Sequence, residues 1–118
     1  MTGEPVEGQL LLLAAAKASV GPARLSKLVD LVQTELGDDL ETYRRRYERI
    51  HADDERELFL TDAAHWETLG DRLDLSNREI DAVRRAHREQ LLRIGRREDR
   101  EPEFETALEI RTPVAIGV

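Results

Sequence analysis

The chain has 118 residues, a length that suits one domain with a hydrophobic core and is too short for two. It carries a net charge of −7, contains no cysteine, and has no apolar run approaching the ~20 residues that span a bilayer. These features exclude disulfides, thiolate metal sites and a membrane-spanning helix, and they predict a soluble cytoplasmic protein.

The first part of the chain, residues 1–37, predicts a helical hairpin. Its first helix should cover Val6 to Ala18, and Leu10–Leu13 makes that helix apolar on nearly all sides. Such a helix is either buried or shared with a partner. A second helix, Pro22 to Leu36, carries one clean apolar stripe. We therefore expect this hairpin to support a homodimer or to dock a partner protein through Leu10–Leu13.

The remainder of the single domain, residues 38–118, should begin with a third helix from Asp39 to His51. Its apolar residues are spaced by three and four positions. A short strand, Glu57 to Leu60, is expected next, followed by a fourth helix from Asp62 to Leu73.

The C-terminal part of the chain should form a fifth helix followed by a small sheet. Ser76 and Glu79 form a capping-box pattern at the start of a fifth helix, which should run to Ile94 and stop at Gly95. Residues 104–111 alternate strictly in polarity, which is typical of a half-buried strand, and Val114–Val118 should form a last strand. The predicted fold class is mainly α with a small C-terminal β-sheet (α+β) and about five helices.

The segment Leu69–Val83 resembles helix-turn-helix motifs of DNA-binding proteins. Two helices that cross steeply need a small residue on the first helix, a short turn, and a cap on the second. Gly70, Asp74 and Ser76 stand at these positions. The turn position is usually glycine, but aspartate tolerates the left-handed backbone better than most residues.

The predicted order of helix, short strand, helix, helix, strand, strand also resembles winged-helix domains, over about two-thirds of the chain. The resemblance implies a non-catalytic transcriptional regulator that binds double-stranded DNA. Asp81 opposes it, since a carboxylate repels phosphate unless it accepts a hydrogen bond from cytosine. The residues that would face the major groove or the phosphates are Ser76, Asn77, Arg78, Asp81, Arg84, Arg85 and Arg88.

No motif indicates a catalytic, cofactor or metal site. The three histidines lack metal-ligand spacing, and His87 lies on an apolar helix stripe, where a hydrogen-bonded core role is expected. The basic residues Arg44–Arg46 and Arg49 are surrounded by acidic ones and favour a solvated, ion-paired face over a nucleic-acid site.

The charged residues have an unusual composition, with lysine only at positions 17 and 27 against abundant arginine, glutamate and aspartate. This composition resembles that of small proteins of unknown function from halophilic archaea, although a GC-rich genome also favours arginine over lysine. At molar salt, long-range repulsion between an acidic protein and DNA is screened. The acidity therefore does not exclude DNA binding. The alternative function is a protein-interaction or assembly module.

Overall fold

A computed structural model describes residues 3–118, and within them the chain forms six helices and three strands. The protein is an α+β protein whose strands are not confined to the C-terminus. In chain order the elements are α1 (Gly8–Ala18), α2 (Pro22–Asp38), α3 (Leu40–Arg46), β1 (Glu48–Ala52), β2 (Arg56–Thr61), α4 (His65–Arg72), α5 (Asn77–Arg97), α6 (Glu101–Ala107) and β3 (Thr112–Gly117).

The three strands form one antiparallel sheet in the order β1-β2-β3. All six residues of the central strand β2 are buried, which agrees with its position between two partners. A bulge between Arg49 and His51 interrupts the register of β1 against β2. The strand predicted at Glu57–Leu60 is therefore confirmed as the core of β2.

Apolar side chains cover both faces of the sheet. Phe59 and Val114 join the larger core, which α1, α2, α4 and the first half of α5 complete. Leu58 and Leu60 point into a smaller core with Phe104 and the second half of α5. Because alternate residues of a strand face opposite sides, β2 contributes to both cores. The helix α5 thus passes from one face of the sheet to the other.

Side chains hydrogen-bond the edge of β3 that has no neighbouring strand. The amide of Gln33 donates to the carbonyl of Ala115 at 2.7 Å and accepts from the Gly117 N–H at 2.9 Å. His87 Nδ1 accepts from the Ala115 N–H at 2.8 Å, and the Trp66 indole donates to the Pro113 carbonyl at 3.2 Å. These bonds satisfy backbone groups that would otherwise be buried without partners.

The two helices predicted at Val6–Ala18 and Pro22–Leu36 are confirmed as α1 and α2; Met1 and Thr2 of the predicted 1–37 hairpin lie outside the described residues. α1 and α2 carry buried stripes that include Leu10, Ala14, Leu25 and Val32. Across residues 3–118, no helix combines the length and the apolar character needed to cross a membrane.

The predicted third helix over Asp39–His51 is wrong in its second half. The helix ends at Arg46, Tyr47 has an extended backbone, and Glu48–Ala52 forms β1 against β2. Ile50 suits either structure, because it continues the helical stripe and also occupies a buried strand position. Pairing with β2, a contact between separate segments, decides the outcome.

The predicted strand over residues 104–111 is also wrong, because Glu101–Ala107 is the helix α6. Pro102 occupies the first turn, where its fixed φ suits a helix and its missing N–H costs nothing. Phe104 is buried and Ala107 and Leu108 are half-buried, which is a helical spacing of three and four. Ile110, expected on the same face as Phe104, is 78% exposed.

These two corrections remove the winged-helix order of elements. Two strands precede the α4–α5 pair, and a helix separates α5 from the single C-terminal strand. The predicted strand at Val114–Val118 is confirmed as part of β3. Gly95 does not stop α5, which continues to Arg97. Because Gly95 has only a hydrogen atom as its side chain, Phe104 of α6 can pack closely against α5. A Cβ at Gly95 would lie 2.9 Å from Phe104.

Candidate nucleic-acid interface and apolar surface

The turn between α4 and α5 has the local geometry that the sequence predicts. Asp74 adopts a left-handed backbone with φ of 57°. The Ser76 hydroxyl accepts a hydrogen bond from the Glu79 N–H, and the Glu79 carboxylate accepts one from the Ser76 N–H, which completes the capping box. A Cβ on Gly70 would lie 3.1 Å from Ile80, so a small residue is needed where the helices meet.

The structure brings the predicted DNA-contacting residues together on the outer side of the first half of α5. Ser76, Asn77 and Arg78 are exposed, whereas Asp81 and Arg88 are half-buried. Arg84 and Arg85 are half-buried beside them. The intervening positions, including Val83 and His87, face the core, as the helical period requires.

Two arginines of this surface are already paired with a carboxylate. Asp81 accepts hydrogen bonds from Arg84 at 2.6 Å and from Arg85 at 2.9 Å. Burial alone would raise the pKa of Asp81, but the hydrogen bonds from Arg85 and Arg84 outweigh it and lower that pKa. Asp81 therefore stays ionised, and a phosphate would compete with it for both guanidinium groups.

Arg78 and Arg88 differ from this pair, because no carboxylate among residues 3–118 lies within ion-pair distance of either one. They are the arginines of the predicted set whose donors are available to an outside group. Arg78 is exposed, whereas Arg88 lies in a recess.

The shape of this surface limits which ligands it can bind. One depression beside α5 is lined by Trp66, Asn77 and Ile80, and the next by Arg84, Arg88 and the segment 108–112. A recognition helix must project into a groove about 12 Å wide. Arg84 and Arg88 line these depressions, so this part of α5 presents concave surface, which suits a smaller ligand better than a DNA groove.

A second surface lies on the N-terminal hairpin. Leu10 is buried, but Leu12 is 60% exposed and Leu13 is 41% exposed, while Leu31 on α2 is 44% exposed. No charged residue occurs in α1 before Lys17. In a chain with 36% charged residues, three exposed leucines, Leu12, Leu13 and Leu31, on two helices that contact each other are unusual.

Within the arginine cluster of α3 and β1, the predicted ion pairs form at Arg44 and Arg49, whereas Arg45 and Arg46 are exposed. Arg44 binds both Glu57 and Glu41, and Arg49 also reaches Glu57. The hydrogen bond from Arg44 lowers the pKa of the Glu57 carboxyl, so this partly enclosed group remains charged. The ion pair between Arg44 and Glu57 connects α3 to β2 and so stabilises the packing of α3 on the sheet.

Two polar pairs arise from contacts that sequence spacing did not indicate. The Tyr43 hydroxyl lies 2.5 Å from His65 Nε2, and burial lowers the pKa of His65. His51 contacts the carboxylates of Asp53 and Glu98. Neither pair belongs to a metal-binding arrangement, since residues 3–118 contain no group of three or more His, Cys, Asp or Glu side chains placed to hold an ion.

The fold and these surfaces define an α+β protein in which one long helix crosses the free edge of a three-stranded antiparallel sheet. Its prominent surface features are an arginine-bearing helix face and an apolar helical hairpin. A family model described as "Domain of unknown function (DUF8048)" matches residues 4–118, and the chain belongs to this family. No curated protein and no solved structure matches the chain significantly.

Proposed function

We propose that this protein is an interaction module that acts by binding rather than catalysis and assembles as a homodimer through Leu12, Leu13 and Leu31. The observation that carries this proposal is the exposure of these three leucines on two helices that pack against each other. Apolar area of this kind is usually covered by a partner.

A second copy of the chain is the occupant that the charges favour. Each copy has a net charge of −7, so two copies repel each other over most of their surfaces. The outer side of α1 carries no charge before Lys17, so α1 itself adds no like-charge contact when a second copy approaches its leucines. A two-fold axis through this surface would place the same residues on both sides of the interface.

The expected strength of the dimer can be bounded. Full burial of a leucine side chain contributes about 1.5–3 kcal/mol. Leu12, Leu13 and Leu31 are 60%, 41% and 44% exposed, so the six leucines of a dimer would bury the equivalent of about three full side chains and give roughly 4–9 kcal/mol. This gain must offset an association cost of about 4–15 kcal/mol, so the dimer should be weak and sensitive to each leucine.

Replacing Leu12 and Leu13 together by glutamate is expected to convert the protein to a monomer, because it removes four leucines from the interface and places four negative charges there. Sedimentation velocity across a concentration series measures this change. Ile110→Glu is the matched control, since Ile110 is the most exposed large apolar residue of the described part of the chain and lies outside the hairpin. A monomeric wild-type protein, or a dimer that survives in the double variant, contradicts the proposal.

A DNA-binding transcriptional regulator is the second candidate, and the α4–α5 turn favours it. Asp74, Ser76 and Gly70 give this pair of helices the local features of a helix-turn-helix, and Arg78 projects from the first turn of α5. DNA affinity should then fall in Arg78→Ala and Arg85→Ala, measured by gel shift with genomic fragments at high potassium. Affinity that is unchanged in both variants excludes α5 as the recognition helix.

A further inference from the structure

Three arginines from separate parts of the chain line one surface depression of about 300 Å³. Arg84 and Arg88 lie on α5, and Arg111 is the residue immediately before β3. Leu108 and Ile110 supply apolar surface to the same depression. A concave site with apolar walls and a few converging polar groups is the usual form of a small-molecule site.

The polar groups of this depression include donors without acceptors. The half-buried guanidinium of Arg88 has no hydrogen-bond acceptor among residues 3–118. Arg111 donates through Nη1 to Glu48 at 2.7 Å, but its Nε is buried and has no partner in the described part of the chain. Leaving a buried donor unsatisfied costs about 1–3 kcal/mol, and more for a charged group. Nε of Arg111 has no exposed surface, so a ligand in the depression does not reach it, whereas the Arg88 guanidinium lines the depression and can donate to an outside acceptor.

The surrounding charges indicate which acceptor fits. Arg84 and Arg85 share Asp81, and Arg111 is paired with Glu48. Glu109 lines the same depression, and Glu105 lies with it in the adjoining one, beside Arg88. The carboxylates thus offset most of the arginine charge, so a group with a single negative charge suits the site better than a dianion.

We propose that this depression binds a small carboxylate ligand whose oxygens accept from the Arg88 guanidinium and whose apolar part contacts Leu108 and Ile110. A planar carboxylate matches the fork of a guanidinium group, which allows two parallel hydrogen bonds. The site is independent of the proposed dimer surface, because none of its residues lies on α1 or α2.

Titration with benzoate tests this site, and binding is measured by amide chemical shifts and by calorimetry. Benzoate supplies one carboxylate and a compact apolar ring. We expect saturable binding with shifts centred on Arg88 and residues 108–112, and no binding of the neutral isostere benzamide. Inorganic phosphate at the same ionic strength should bind more weakly than benzoate.

Arg88→Gln is expected to weaken benzoate binding about tenfold or more, since hydrogen bonds to charged groups contribute about 1.5–3 kcal/mol. Arg88→Lys keeps the charge and should recover part of the loss. Arg78→Gln is the matched control, because Arg78 is an arginine of the same helix outside the depression. Circular dichroism verifies that each variant is folded. The proposal is overturned if benzoate does not bind saturably, if Arg88→Gln binds it as wild type does, or if phosphate binds more tightly.

Discussion

At pH 5 the folded protein should be about 2 kcal/mol less stable than at pH 7 through the protonation of His87 alone. The side chain is fully buried, and burial lowers its pKa from the ordinary 6.5 to about 3. The ring has little opportunity to charge in the folded state, because its Nδ1 accepts the hydrogen bond from Ala115 and Trp66 packs against it with ring centroids 4.6 Å apart.

The sign of this effect follows from the two protonation states. Above pH 6.5 the histidine is neutral whether the chain is folded or unfolded, and its full contribution to stability is present. As the pH falls below 6.5, the unfolded chain takes up a proton that the folded chain cannot accept until about pH 3. The free energy of unfolding should therefore decrease by about 1.4 kcal/mol per pH unit within this window.

Urea unfolding of the wild type and of His87→Gln at pH 7, 6 and 5 measures this contribution. The variant should be less stable at every pH, since it loses the ring packing, but its stability should change less with pH. His65, whose pKa burial also lowers, is present in both proteins and cancels in the comparison. Carboxylates such as Glu57 and Asp81 titrate below this range. Parallel pH profiles for the two proteins would contradict the assignment to His87.

Features set by a few neighbouring residues could be predicted from the sequence. The capping box at Ser76, the left-handed Asp74 and the small residue at Gly70 depend on local backbone geometry, and all three predictions are confirmed. The core position of His87 followed from the helical period, and it too is confirmed. The stretch of α5 that carries the predicted arginines, about three turns from Arg78 to Arg88, was predicted as a helix for the same reason.

Features that depend on contacts between distant segments could not be predicted in this way. Ile50 fits a helical stripe as well as a strand, and only the pairing of its neighbours Arg49 and His51 with β2 places it in a strand, at the bulge. The candidate ligand site also depends on contacts between distant segments, so the sequence pattern alone does not predict it. Arg111 joins Arg88 because α6 returns the chain to the first half of α5, whereas an extended strand over residues 104–111 would not indicate this return.

Phe104→Ala is expected to lower the free energy of unfolding by about 3–5 kcal/mol, the usual cost of deleting a buried phenylalanine. Phe104 is fully buried in the smaller core and packs where Gly95 allows α6 to approach α5. The Arg100 guanidinium lies 4.5 Å from the centre of the ring and adds a cation–π contact. Removing the ring would leave a cavity between α5, α6 and the sheet.

Comparison with Ile110→Ala distinguishes the helix α6 from the strand that the alternating sequence predicts. On such a strand, Phe104 and Ile110 would share the buried face, and truncating either would be costly. In the folded chain Ile110 is 78% exposed, so its truncation should change stability by no more than about 0.5 kcal/mol. Urea unfolding followed by far-ultraviolet circular dichroism measures both variants, with Phe104→Leu in reserve if the alanine variant does not fold. A costly Ile110→Ala beside a tolerated Phe104→Ala would exclude this packing of α6.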